Sequence, residues 1–135
     1  MQKTYHGSCH CGAVRFTADI DLAAGTSKCN CSICRKARFW KAVIKADAFR
    51  LEQGLDALTD YQFGGKTGAG IHHLFCSRCG VKPFGRGSLP DFGDFVAVNV
   101  ACLDAPDEEI AAAPVFFQDG KNNAWGSTPA ETRHL

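Results

Sequence analysis

The sequence lacks the features that mark membrane-spanning, secreted and nucleic-acid-binding proteins. It has no apolar run long enough to cross a bilayer, and its polar N-terminus does not read as a signal peptide. It also lacks an excess of either charge, because 15 Lys and Arg balance 14 Asp and Glu to leave a net charge of +1. We therefore expect a cytoplasmic protein that binds neither nucleic acid nor a membrane.

Internal repeats, low-complexity tracts and helical periodicity are also missing. Apolar and polar residues alternate from 13 to 20, which is typical of a half-buried strand. Further β-prone runs are predicted at residues 39–45, 58–63, 71–75, 95–100 and 115–117. A helical turn is predicted at 32–38, a loop at 22–28, and a short turn capped by Asp47 at 47–50. This pattern predicts a mainly β fold of short antiparallel strands, in one domain over residues 1–135.

Cysteine, in contrast, is abundant and clustered. Seven of the eight cysteines fall in three tight groups: Cys9 and Cys11; Cys29, Cys31 and Cys34; and Cys76 and Cys79. In the cytoplasm disulfides are rare, and clustered cysteines more often bind metal or carry redox chemistry. The division of these seven thiols among metal ions is therefore the main functional question in the sequence.

The two outer pairs complement each other as a zinc site. Cys76 and Cys79 have the C-x-x-C spacing, followed by a glycine, at which a tight turn brings two thiolates to one ion. Cys9 and Cys11, at the entrance of the first predicted strand, can converge in the same way. Together they predict a closed four-cysteine site, whose binding free energy would add to the free energy of folding.

The central group, Cys29, Cys31 and Cys34, supplies only three thiolates. Three protein ligands and an open fourth position describe a catalytic zinc, and an incoming thiol would be deprotonated there. A fourth protein ligand would instead make the site structural. The candidates for that ligand are His72, His73, His10 and Cys102.

Other interpretations stay open at this point. The seven cysteines could be free thiols, a disulfide framework or ligands of an iron–sulfur cluster, although their spacing does not match the ferredoxin patterns. Cys102, alone after an apolar run, is typical of a buried inert thiol. Phe39 and Trp40 suit the core better than a wall of the open site. The basic side chains after the triad suit either a solvated face or a carboxylate-bearing substrate, and they are Arg35, Lys36 and Arg38.

Three segments together resemble one known family. Residues 7–16 (GSCHCGAVRF), 29–35 (CNCSICR) and 75–80 (FCSRCG) are similar, in order and spacing, to the glutathione-dependent formaldehyde-activating enzyme family, which shares its domain with the centromere protein V group. The resemblance implies an all-β, Mss4-like arrangement of short antiparallel sheets stapled by a structural zinc. It further implies a carbon–sulfur lyase that adds glutathione to formaldehyde, giving S-(hydroxymethyl)glutathione.

The resemblance also assigns the metal sites. It implies a structural zinc on Cys9, Cys11, Cys76 and Cys79, and a catalytic zinc on Cys29, Cys31 and Cys34. Three thiolates hold a metal less firmly than four, so we expect partial occupancy or oxidation at the central group. The competing functional hypotheses are a non-catalytic zinc module for a protein or nucleic-acid partner and a thiol-based redox or metal sensor.

Overall fold

The computed structural model describes residues 1–64 and 70–135. Within these ranges the chain forms ten strands and two short α-helices, joined by turns of 3₁₀ helix. In chain order they are β1 (Lys3–Ser8), β2 (Arg15–Ile20), β3 (Thr26–Cys29), α1 (Ser32–Ala37), β4 (Trp40–Lys45), β5 (Phe49–Gln53), β6 (Leu58–Tyr61), β7 (His72–Cys76), β8 (Phe84–Leu89), β9 (Gly93–Asn99), α2 (Asp107–Ala111) and β10 (Val115–Gln118). The predicted mainly β fold is confirmed.

The strands form two sheets. A three-stranded sheet has the order β1-β2-β5, and a seven-stranded sheet has the order β10-β3-β4-β9-β8-β7-β6. Every neighbouring pair is antiparallel except β3 and β10, which run parallel. The predicted antiparallel arrangement therefore holds for all pairs but this one.

The core lies between the two sheets. Phe16 on β2 stacks on Phe49 on β5 with ring centroids 5.3 Å apart, and Phe49 lies 4.5 Å from Phe84 of the larger sheet. In the alternating segment Val14, Phe16, Ala18 and Ile20 are at most 2% exposed, whereas Arg15 faces solvent. Apolar side chains from the two sheets thus exclude water from a shared core, and Phe39, Phe95 and Ala97 form a second, smaller cluster.

Several sequence predictions were wrong in detail. The predicted loop at residues 22–28 contains a 3₁₀ turn, Leu22–Ala24, and the start of β3. Asp47 does not cap a turn to residue 50, because it lies inside the 3₁₀ turn Ala46–Ala48, after which the chain enters β5. Strands β1, β5 and β8 had no counterpart among the predictions.

The fold places the cysteine groups at strand ends. Cys9 and Cys11 lie in the connection from β1 to β2, and Cys76 and Cys79 lie at the end of β7 and in the turn that follows. The central group spans the end of β3 and the first half of α1. Across the described ranges, no helix is long and apolar enough to cross a membrane.

Candidate metal centres

The four outer cysteines converge at a junction between the two sheets. The Sγ atoms of Cys9, Cys11, Cys76 and Cys79 all lie within 4.8 Å of one another. The distance from Cys11 Sγ is 3.7 Å both to Cys9 Sγ and to Cys76 Sγ. Four thiolates at about 2.3 Å from a tetrahedral zinc ion are separated by about 3.8 Å. The donor set and its spacing therefore fit a zinc ion.

Two tight backbone turns position these four thiols. The N–H of Gly80 donates to the carbonyl of Cys76 at 2.8 Å, and the N–H of Val14 donates to Cys9 Sγ at 3.3 Å. Gly80 has a φ of 78°, a conformation that a side chain disfavours, so this turn depends on glycine. Backbone hydrogen bonds, chiefly from Cys11 and then from Val81, lower the pKa of Cys79 to about 6. Donors that favour the thiolate prepare this group to bind a metal.

The central cysteines form a second cluster, called the triad below: Cys29, Cys31 and Cys34. Their Sγ atoms also lie within 4.8 Å of one another. The N–H of Cys31 donates to Cys29 Sγ at 3.3 Å, and helix α1 brings Cys34 back toward the other two. Hydrogen bonds with the thiols of Cys29 and then Cys34 lower the pKa of Cys31, whereas bonds with Cys29 and then Cys31 raise the pKa of Cys34. Three soft donors this close together fit a thiophilic metal ion.

The triad has no fourth protein ligand among the described residues. The groups of metal-binding side chains found there contain no histidine and no carboxylate. Of the four candidates from the sequence, His72 pairs with Asp60 at 2.6 Å, His73 with Lys82 at 2.8 Å, and His10 is exposed. Cys102 is buried apart from both clusters, as expected for an inert thiol.

The C-terminal part of the chain covers one side of the triad. A Cβ atom at Gly120 would lie 2.5 Å from Cys29 Sγ and 2.6 Å from Trp125, so only glycine leaves room for both groups. Asn30, between two of the cysteines, donates to Asp119 at 2.9 Å and accepts from the N–H of Lys121 at 2.9 Å. These contacts fix the loop after β10 against the triad.

Two lysines that the sequence alone did not mark as functional lie near the triad. The charge of Lys41, on β4, opposes the rise in the pKa of Cys34. Cys34 in turn opposes the fall in the pKa of Lys82, which lies just before β8. Lys41 Nζ donates to Gln118 at 3.1 Å, and Lys82 Nζ lies 3.9 Å above the Phe39 ring. Burial lowers the pKa of Lys82 to about 8. Nothing local in the sequence marks them, since strand pairing brings them to this place.

The remaining sequence candidates are placed as follows. Phe39 is 4% exposed and packs with Phe95 and Ala97, and Trp40 donates to Thr26 Oγ1 at 2.7 Å, so both serve the core as expected. The basic side chains after the triad are all exposed: Arg35, Lys36 and Arg38. Arg38 ends helix α1 in the left-handed conformation and donates to the carbonyl of His134.

Comparison with known proteins gives relatives of one kind. A Halomonas elongata protein, provisionally named a glutathione-dependent formaldehyde-activating enzyme, is 40% identical over 79 residues, which is 54% of this chain and 50% of that protein. The chain thus matches about half the length of this curated relative. The crystal structure of a Rhodobacter sphaeroides protein superposes with a TM-score of 0.66 at 30% identity, covering 82% of this chain and 99% of that one.

The family assignment rests on a longer match. The sequence profile of the family described as glutathione-dependent formaldehyde-activating enzyme matches residues 4–119, a range that includes both cysteine clusters, helix α1 and β10. The resemblance carried by the three cysteine motifs is thereby confirmed, and this chain belongs to the glutathione-dependent formaldehyde-activating enzyme family.

Proposed function

We propose that this protein binds two zinc ions and joins a small thiol to an aldehyde, with glutathione and formaldehyde as the leading substrates. The observation that carries the proposal is the triad, because three thiols converge there with no fourth ligand among the described residues. A closed site would be sufficient for a structural role, whereas an open one allows a substrate to bind. The family to which the chain belongs is named for this activity.

The two clusters take different parts in this proposal. Cys9, Cys11, Cys76 and Cys79 would hold a structural zinc that staples the two sheets into an Mss4-like domain over residues 1–135. Cys29, Cys31 and Cys34 would hold the second zinc. That ion would supply an open coordination position where a thiol becomes acidic. A cytoplasmic location, where thiols stay reduced, belongs to the same proposal.

The residues around the triad suit the chemistry of such a reaction. The sulfur of the thiol would attack the carbonyl carbon, the C=O electron pair would move to the oxygen, and the proton lost by the thiol would end on that oxygen. The ammonium groups of Lys41 and Lys82 favour negative charge on the reacting atoms. The adduct forms reversibly, so the same groups would also catalyse its cleavage, which is the carbon–sulfur lyase direction.

The proposal is tested by the rate of adduct formation. Zinc-loaded protein is expected to accelerate the formation of S-(hydroxymethyl)glutathione from glutathione and formaldehyde above the spontaneous rate, as followed by exchange NMR. Cys34→Ser should abolish the acceleration while leaving the four-cysteine cluster intact. Cys102→Ser, which changes a thiol outside both clusters, is the matched control and should keep the activity.

The opposite results are equally clear. If the wild-type protein fails to accelerate the reaction of any small thiol with the aldehyde, the catalytic proposal fails and the non-catalytic zinc module gains support. If Cys34→Ser is as active as the wild type, chemistry does not take place at the triad.

A further inference from the structure

Lys82 is held in an unusual position for a lysine. Its ammonium group lies 3.9 Å above the centre of the Phe39 ring and donates a hydrogen bond of 2.8 Å to His73 Nδ1. An ammonium group has no acceptor, so His73 accepts at Nδ1 and carries its own proton on Nε2. Burial and the charge of Lys82 lower the pKa of His73, which keeps this ring neutral and able to accept. The arrangement fixes the ammonium group in one place.

The surroundings of Lys82 are closed on several sides. His73 is 8% exposed and stacks on Phe63 with centroids 5.5 Å apart, and Phe39 is 4% exposed. A Cβ added at Gly85, on β8, would lie 3.7 Å from Lys82 Cε, which is an ordinary van der Waals contact. The side chain of Lys82 therefore lies among largely apolar groups.

No carboxylate of the described residues balances this charge. The ion pairs found among them include neither Lys82 nor Lys41. The Phe39 ring under the Lys82 ammonium belongs to a cluster against which Cys34 of the triad packs. Lys41 donates to Gln118, which is the strand partner of Cys29. A partly buried cation without a counter-ion is costly, so the counter-charge of both lysines is expected at the triad.

The charges balance only with one more anion. Three thiolates around a divalent ion carry one net negative charge, which a single lysine neutralises. Lys82 and Lys41 together supply two positive charges. A fourth ligand that is itself a thiolate would bring the centre to two negative charges and match both lysines.

We propose that Lys82, supported by Lys41, selects an anionic fourth ligand at the triad, so that a substrate thiol binds as its thiolate in preference to a neutral ligand. This inference rests on the proposed function, since it needs a metal ion at the triad. It gives the two lysines a defined part in ligand selection and supplies a reason for the preference of the site for sulfur. Lys82 acts through its charge on the bound sulfur, while His73 and Phe39 position it.

The test compares two probes for the same position in the cobalt(II)-loaded protein. Binding of 2-mercaptoethanol as a thiolate gives a sulfur-to-cobalt charge-transfer band, and binding of imidazole, a neutral ligand, shifts the d–d bands. Neither probe carries a carboxylate that could bind the lysines separately. Lys82→Met is expected to weaken 2-mercaptoethanol binding by about tenfold, the effect of one charge in a partly buried site, and to leave imidazole binding unchanged.

Matched variants separate charge from packing. Lys82→Arg should retain most of the thiolate affinity, and Lys41→Met should lower it less than Lys82→Met, because Lys41 also bonds Gln118. Lys45→Met is the control, because Lys45 also places its ammonium over an aromatic ring, Phe92, at 3.8 Å, but is exposed at the opposite end of β4 from Lys41. It should bind both probes as the wild type does.

Each outcome decides between the two proposals. Equal thiolate affinity in Lys82→Met and wild type overturns the inference, and so does an equal loss of both probes, which would show a purely structural role. If the wild type binds the thiolate but does not accelerate adduct formation, the proposed catalysis fails. The ratio of thiolate affinities between wild type and Lys82→Met then still tests the inference. If the wild-type triad binds neither probe, the open site is absent and both proposals are wrong.

Discussion

At the scale of single residues, Gly120 is the position where the smallest change should have the clearest effect. A Cβ added there would lie 2.5 Å from the sulfur of Cys29 and 2.6 Å from the Trp125 ring, which leaves no room for a methyl group. We expect Gly120→Ala to lower the zinc affinity of the triad by about tenfold or more, because the added methyl must displace the sulfur or the ring. Metal content after dialysis against a weak chelator measures the effect.

Gly126→Ala is the control for this change. A Cβ there meets no atom within 4 Å, so zinc binding should not change. In both variants the four-cysteine cluster should keep its metal, giving about one retained zinc per chain in Gly120→Ala. Full retention at both sites in Gly120→Ala would show that the loop after β10 yields easily and does not constrain the triad.

The residue scale also shows what the sequence could and could not predict about the site. All seven clustered cysteines were grouped correctly, because C-x-C and C-x-x-C spacings constrain thiols within a single turn. The pairing of the outer groups followed from the need for four ligands. Lys82 and Gly120 were missed, because their relation to the triad depends on the pairing of β8 with β9 and of β10 with β3.

At the scale of elements, a small polar cluster ties helix α2 to strand β1. Tyr5 Oη donates to Glu109 Oε1 at 2.6 Å, and Lys3 Nζ donates to both oxygens of the same carboxylate at 3.0 and 3.1 Å. These bonds, from Tyr5 first and then from Lys3, lower the pKa of Glu109 below its usual 4.5. Burial, and then the bond to Glu109, raises the pKa of Tyr5 to about 12.

The two shifts define a pH window for this contact. A lowered carboxyl pKa contributes stability that is present above about pH 4.5 and is lost as the pH falls through the folded-state pKa. A raised tyrosine pKa contributes stability that is present below pH 10 and is lost as the pH rises toward 12. Glu109→Gln should therefore lower Tm by about 3 °C at pH 7, and the difference from wild type should vanish in acid. Thermal unfolding followed by circular dichroism at several pH values measures both.

Glu108→Gln is the matched control, since Glu108 is a neighbouring carboxylate on the same helix and makes none of these bonds. Its Tm should follow the wild type across the pH range. A Tm difference for Glu109→Gln that persisted at low pH would mean that the carboxylate charge is not the source of the stability.

Strands were predicted well where their own sequence alternates between apolar and polar residues, and poorly where pairing with neighbouring strands determines their conformation. Strand β2 alternates cleanly and was expected, whereas β3 has the sequence TSKC and was interpreted as a loop. Its strand conformation comes from the neighbours on either side, β4 and β10. Strand β8 contains two glycines, which disfavour a strand, but Gly85 and Gly87 make room for the carbonyl of His72 and the ring of Phe95.

At the scale of the whole molecule, the two cysteine clusters should differ in what their loss does. The four-cysteine cluster joins a connection of the small sheet to a turn of the large one, whereas the triad lies within a single segment of β3 and α1. We expect Cys76→Ser to lower the free energy of unfolding by several kcal/mol, because metal binding there contributes to folding. Cys34→Ser should lose the triad metal and change Tm by only a few degrees.

Calorimetric unfolding with parallel zinc analysis distinguishes the two cases. Wild-type protein treated with a strong chelator should lose the triad metal first, with little change in Tm, and unfold when the second metal leaves. Equal losses of stability in Cys76→Ser and Cys34→Ser would contradict the division into a structural and a functional centre.

The parallel pairing of β10 with β3 has a consequence for biosynthesis. A ribosome completes the triad with Cys34 and adds Gln118, Gly120 and Trp125, which pair with or cover this region, 84 or more residues later. Until then the nascent chain carries three neighbouring thiols without the segment that shields them. Oxidants or foreign metals have their best access during that interval, so the redox state of the compartment during translation matters for how much protein matures with intact thiols at the triad.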